Sequence, residues 1–342
     1  MPRAKRPRAK SDDSSSEKKK LKRSNLTISI ADYMIRSPTT SGIKQDEDGE
    51  KERASAMPDA KGDTTRRTTA ASVPSSNREE NGNAAEHVST VSASIPDKLL
   101  SIEQELCAKL VDVTFPASIQ YIYNPLDYAS ETHSAYVRKY CTGVKKILFV
   151  GMNPGPWGMS QTGVPFGEIN MVRDWLKISG PVGKPPKEHP DRIVVGFQCT
   201  RSEISGLRLW GLFRRLCGSP ENFFRHAYMH NYCPLAFMDA RAKNITPAEL
   251  KGDGQRILHE ACDKALIDII RLLKAEIVVG IGNYAEKRAQ IAAQTGGLSV
   301  KVMVLRHPSP RAAGNQHWDK IAMDRLDELQ LLKYFEKASS TV

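Results

Sequence analysis

The chain has 342 residues, 40% of them hydrophobic and 26% charged, with a formal net charge of +11. Its longest apolar runs, Ile147 to Val150 and Val302 to Leu305, fall far short of the ~20 residues a membrane span needs, which excludes a membrane-spanning chain. The six cysteines form no CxxC pair and no short Cys/His ladder, which excludes a zinc ribbon and suits reduced thiols in an intracellular protein.

The first 95 residues contain one aromatic, Tyr33, among Ser, Thr, Gly and charge. Such a composition cannot bury a core, so residues 1–95 are expected to be a disordered tail and 96–342 one folded domain. Charge is uneven: +7 over residues 1–23, −3 over 24–95 and +7 over 96–342, which favours a polyanionic partner such as nucleic acid. Two basic clusters, Lys5-Arg6 and residues 18–23, flank a polar spacer and read as a bipartite signal for a nuclear import receptor, hence a nuclear location. Ile30, Tyr33 and Met34 fall on one face of a helical turn, at a spacing similar to that of sliding-clamp-binding peptides. A chance apolar cluster is the competing reading.

Helical periodicity over 97–113 opens the domain. Strands are expected at 146–150, 192–197, 227–232, 276–280 and 300–306. Helices are expected at 167–178, 203–217, 247–274 with a break at 252–254, 284–295 and 318–336. Short apolar runs alternating with amphipathic segments predict an α/β fold with a mainly parallel sheet covered on both faces. Ligands then lie beyond the carboxyl ends of the strands, where three polar Gly/Pro-rich segments, 151–156, 230–234 and 307–311, should converge on one rim. Gly280-Ile281-Gly282 imitates a dinucleotide fingerprint, but the next strand ends in Arg306-His307 rather than an acid, so a tight strand-to-helix turn is the better reading.

Gly151-Met152-Asn153-Pro154-Gly155-Pro156 must turn sharply out of a buried strand. Its glycines allow close backbone approach and its prolines stiffen the turn around Asn153, whose amide oxygen can hold a water. The chain continues through Met159-Ser-Gln-Thr-Gly-Val-Pro-Phe166-Gly-Glu168. With that segment, the blocks Arg201-Ser-Glu-Ile-Ser-Gly206, His230-Asn231-Tyr-Cys-Pro-Leu235 and His307-Pro308-Ser309-Pro310-Arg311 carry a resemblance to the single-strand-selective monofunctional uracil-DNA glycosylases, over residues 97–337. Trp157 stands where a Phe is common.

The resemblance implies an α/β three-layer sandwich and a set of roles. Asn153 would position the hydrolytic water and His307 would donate to the uracil O2. Phe166 would stack on the flipped base, Asn231 would read its edge, and Met152 and Gly155 would line the pocket. Pro308, Ser309, Pro310 and Arg311 would form a wedge entering the duplex, and Arg241, Lys243 and Lys251 would contact DNA. The reaction needs water alone, so no metal or cofactor is implied, and the protein is expected to act as a monomer on single- and double-stranded DNA. Uracil and 5-hydroxymethyluracil are the expected substrates. A mismatch-directed uracil/thymine glycosylase and a catalytically silent damage-binding adaptor remain the alternatives. Met159, Trp210, Phe213 and Phe237 read as core, His226, His230 and His259 as packing or surface residues, and Glu168 and Asp174 as capping or solvent-facing acids.

Overall fold

A computed structural model describes residues 27–29 and 93–335. The basic clusters at 5–6 and 18–23, and Ile30, Tyr33 and Met34, lie outside the described residues. Strand β1 (Thr27–Ser29) falls inside the segment expected to be disordered; its backbone pairs antiparallel with β2 (Thr114–Pro116). A lone three-residue strand leaves its N–H and C=O groups unpaired, and β1 satisfies them.

Helix α1 (Ile95–Val111) starts at the Ser94 cap, whose hydroxyl accepts from the Asp97 N–H. After β2 come β3 (Tyr121–Tyr123), α2 (Pro125–Tyr128) and α3 (Ser130–Tyr140). The central strand β4 (Ile147–Gly151) is buried throughout. Helix α4 (Met159–Thr162) and one π-helical turn, Met171–Trp175, precede α5 (Ile204–Cys217) and α6 (Pro220–Phe224). Strands β5 (Ala227–Asn231), β6 (Ala236–Met238) and β7 (Asn244–Ile245) follow. The chain ends with α7 (Asp253–Leu273), β8 (Ile277–Ile281), α8 (Asn283–Thr295), β9 (Lys301–Leu305) and α9 (Trp318–Glu328).

The main sheet is four-stranded and parallel throughout, ordered β5-β4-β8-β9. Side chains alternate between its faces. On one face Phe149 meets Phe213 of α5, Phe223 of α6 and Phe335. On the other, α8 packs so closely that a Cβ on Gly280 would lie 2.2 Å from the Glu286 nitrogen. A separate antiparallel sheet orders β3-β6-β7. The fold is thus the α/β sandwich expected, with the carboxyl ends of all four parallel strands on one rim.

Four expected elements differ. Residues 192–197 form no strand: 3-10 turns at Pro190–Arg192 and Gly196–Gln198 flank them, and Ile193 and Val195 face outward, 44% and 46% exposed. The helix expected at 167–178 shrinks to the π turn, because Lys177 takes a φ of 53° and ends it. Helix α7 begins only after Gly252, whose φ of 74° no helical residue adopts. The helix expected at 318–336 stops at Glu328, with Gln330 left-handed at a φ of 57°. Gly282, at a φ of 92°, makes the strand-to-helix turn read from the sequence.

Candidate active site

Parallel register sets Gly151, the last residue of β4, beside Asn231, the last of β5. Gly151 has no room for a side chain: a Cβ would lie 2.2 Å from Asn231 Oδ1 and 2.7 Å from Phe166 Cε2. The carboxamide and the ring therefore share the space above the end of β4. Beyond it the two loops zip together, with Tyr232 N–H donating to the Gly151 carbonyl and Cys233 N–H to that of Met152, both at 2.9 Å. Tyr232 is anchored from below by its hydroxyl, which donates to Asp263 at 2.8 Å and accepts from Arg288 Nε at 3.1 Å. Asn153 Nδ2 donates to the Leu235 carbonyl at 3.1 Å. That bond fixes the amide, and Oδ1 accepts from no group among the described residues.

Phe166 sits at a φ of 53°, a left-handed conformation that costs an L-residue about 1–2 kcal/mol. Its carbonyl rests on Gly206 of α5, where a Cβ would come within 2.1 Å of that oxygen, and Trp210 Nε1 donates to the Pro165 carbonyl beside it. Upstream, His133 Nδ1 meets the Gly163 carbonyl and Nε2 meets Glu103, both at 2.8 Å. Two acceptors require a proton on each nitrogen, so His133 is an imidazolium paired with Glu103. Burial disfavours both charges, but their mutual attraction outweighs it, holding Glu103 below and His133 above its usual value. Glu103 Oε1 lies 3.5 Å from His230 Nδ1, one residue before Asn231, without a hydrogen bond between them. A cleft of about 480 Å³ lined by Leu100, Cys107 and Val111 reaches Glu103 and His133 but none of the four residues Asn153, Phe166, Asn231 and His307.

His307 follows β9, its ring centroid 6.0 Å from that of Phe166. Ser309 N–H donates to its Nδ1 at 3.1 Å, which puts the proton of the neutral ring on Nε2. Burial lowers its pKa to about 4, so the ring is a neutral N–H donor at physiological pH. Asn315 Nδ2 holds the His307 and Ser309 carbonyls at 2.8 and 2.7 Å, and Arg208 holds those of Pro308 and Asn315. The ring of Phe166 thus lies beside the Asn231 amide above the end of β4 and 6.0 Å from the uncharged His307 ring that follows β9.

Comparison with known proteins decides the family. Residues 138–330 match the uracil DNA glycosylase superfamily. The single-strand selective monofunctional uracil DNA glycosylase of Mus musculus is 51% identical over 242 residues, 70% of this chain and 86% of the mouse protein. The Bos taurus protein of the same name is 49% identical over 240 residues, 70% of this chain and 88% of the bovine one. The chain belongs to the single-strand-selective monofunctional uracil-DNA glycosylases. The solved structure of Pedobacter heparinus SMUG2 is similar in fold, with a TM-score of 0.52 at 21% identity over 69% of this chain and 98% of that one.

Within this glycosylase Met159 is buried, as its sequence reading has it, and its sulfur lies 3.2 Å from Asn231 Nδ2. Trp210, Phe213 and Phe237 are fully buried. Glu168 is buried and caps the π turn by accepting from Met171 N–H at 2.9 Å, while Asp174 is exposed and paired with Arg173. Of the wedge residues only Pro310 and Arg311 stand out into solvent; Pro308 is buried and Ser309 half-buried. Lys243 pairs with Glu249 at 3.1 Å, whereas Arg241 and Lys251 are exposed. Among the described residues no three His, Cys, Asp or Glu are grouped to hold a metal.

Glu203 escaped sequence reading. Its carboxyl fills the space beneath the turn that leaves β4: a Cβ at Gly155 would lie 2.0 Å from Oε1, and one at Gly158 2.2 Å from Oε2. An acid just before a helix reads as a cap, yet Glu203 makes no capping bond and its buried Oε2 has no partner. Burial, then repulsion from Glu168, pushes its pKa up to about 7. In the unfolded chain the group ionises near 4.5, so the fold is favoured fully below that pH, loses stability as pH rises to about 7, and stays lower above it. The span corresponds to about 3 kcal/mol. Glu203→Gln should therefore match wild type in urea unfolding at pH 4 and exceed it by about 2–3 kcal/mol at pH 8. Equal pH dependence in the two proteins would refute this placement of the carboxyl.

Proposed function

We propose that the protein hydrolyses the N-glycosidic bond of uracil, and of 5-hydroxymethyluracil, in DNA, starting base excision repair. The observation that carries this reading is the neutral Nε2–H of His307 held beside Phe166. Cleavage leaves negative charge on the departing base, and an uncharged donor aimed at O2 stabilises that charge as it develops. The base must first leave the stack, at a cost of about a few kcal/mol that stacking on Phe166 offsets. Asn231 donates to O4 and accepts from N3–H; cytosine presents the opposite pattern at both positions and is rejected. Asn153 Oδ1, with no partner among the described residues, holds the water that attacks the sugar.

No lysine stands in the motifs that build the pocket, which supports a reaction without a lyase step. Lys145 donates to the Phe224 carbonyl before β4 begins, at the opposite end of the strand from the site. The tip residues Pro310 and Arg311 enter the opened duplex, and Arg241 and Lys251 add charge for the phosphates. The basic clusters in residues 5–23 direct nuclear import, and Ile30, Tyr33 and Met34 offer a contact for a sliding clamp.

Excision from oligonucleotides carrying one uracil, 5-hydroxymethyluracil, thymine opposite guanine, or cytosine tests the reading. The first two should be released and the last two kept. Thymine release at a rate near that of uracil would favour the mismatch-directed enzyme instead.

A further inference from the structure

Trp157 lies directly beyond the catalytic turn, four residues past Asn153. Two guanidinium groups lie over its ring, Arg201 at 4.6 Å and Arg192 at 5.1 Å from the centroid. With Gln198, Thr200 and Arg241 they line a groove of about 490 Å³. Several arginines elsewhere are paired, Arg138, Arg173, Arg256 and Arg325 each meeting a carboxylate within 2.9 Å, although the exposed Arg214, Arg225, Arg306 and Arg311 meet none among the described residues. In the groove, Arg192 and Arg201 meet no carboxylate among the described residues, and Arg241 has only Asp239 at 3.9 Å. Asp191 lines the same groove without pairing with any of the three. Arg192 Nε is buried and has no acceptor among the described residues. Holding a long side chain over a ring costs rotamer freedom, and leaving its charge unpaired forgoes the usual compensation. Arg192 spends one N–H on the Asp191 carbonyl, at 2.7 Å, and the remaining donors of these planar forks suit phosphate oxygens.

We propose that the groove between Trp157, Arg192, Arg201 and Arg241 holds the sugar–phosphate backbone of the DNA strand adjoining the flipped nucleotide, with Trp157 orienting the guanidiniums. The inference rests on the glycosylase reading, because the continuity of the groove with the catalytic turn makes its occupant the same strand. Trp157 then aids single strands and duplexes alike, since a backbone contact asks nothing of the partner strand. Its indole also presents more ring than a phenyl to two cations at once.

The test is binding of the full-length protein to a uracil-free single-stranded oligonucleotide across 50–200 mM salt. Arg192→Gln/Arg201→Gln should lower the slope of log K against log salt by about 1.4, two phosphates at about 0.7 each, and weaken binding at least tenfold at the lowest salt. Arg138→Gln/Arg173→Gln removes the same charge from paired positions and should leave the slope within about 0.3 of wild type. A slope unchanged in the groove variant, or lowered equally by the control, overturns the proposal. Tryptophan emission gives an independent reading, because Trp175, Trp210 and Trp318 are buried. DNA should change the emission of wild type and not that of Trp157→Phe; an equal change in both also overturns it. Uracil excision by wild type in the same buffer separates the two readings. Excision with an unchanged slope removes the groove alone, and a lowered slope without excision leaves it as a nucleic-acid site on a protein of other activity.

Discussion

Replacing His307 by leucine is expected to slow single-turnover uracil excision about 10²–10³-fold while the protein stays folded and still binds DNA. Leucine fills a similar volume but offers no donor where the base becomes anionic. The loss should appear in the rate at saturating enzyme rather than in affinity, because the bond strengthens only as charge develops. The same geometry predicts the pH profile. With Nδ1 occupied by Ser309 N–H and the pKa near 4, the ring does not titrate at its usual 6.5, so excision should show no limb there that is absent from His307→Leu. A variant within tenfold of wild type would move the leaving-group donor elsewhere.

Asn153→Ala should cost a similar factor, about 10²-fold or more, by a different route. The amide is pinned by the Leu235 carbonyl, so its oxygen points in one direction without reorganising. Truncation leaves the water unheld and the rim otherwise intact. The double variant tests whether the two act on one step: water attack and base departure are coupled, so the combined loss should fall short of the product of the single losses. Additive losses would place Asn153 outside the reacting geometry.

Much of this site could be read before any coordinates. Buried runs at 146–150, 227–232 and 300–306, each followed by a polar Gly/Pro segment, already imply a common rim, and Gly151 beside Asn231 in the parallel register realises it. What stayed hidden has physical causes. Helix α3 buries Thr132, His133, Tyr136 and Tyr140, a face too polar in composition to show as apolar periodicity, because its contacts are hydrogen bonds to Gly163, Glu103 and Met229. Glu203 passed unnoticed because local spacing cannot reveal that Gly155 and Gly158 fold over it. The apolar run at 192–197 mimics a strand, yet Ile193 and Val195 face solvent while Val194 and Gly196 are buried. Asn315 and Trp318 look like ordinary loop and helix residues, although they clamp the His307 and Arg306 carbonyls from beyond the wedge.

The central claim is that this pocket releases a base by hydrolysis and leaves the strand intact. It is tested most directly by incubating the purified full-length protein with an end-labelled oligonucleotide containing one uracil, and dividing the product before and after hot alkali. The account predicts free uracil, an uncut strand before alkali, and cleavage at the uracil position after it. Strand cleavage before alkali, or DNA binding with no uracil released, would contradict it.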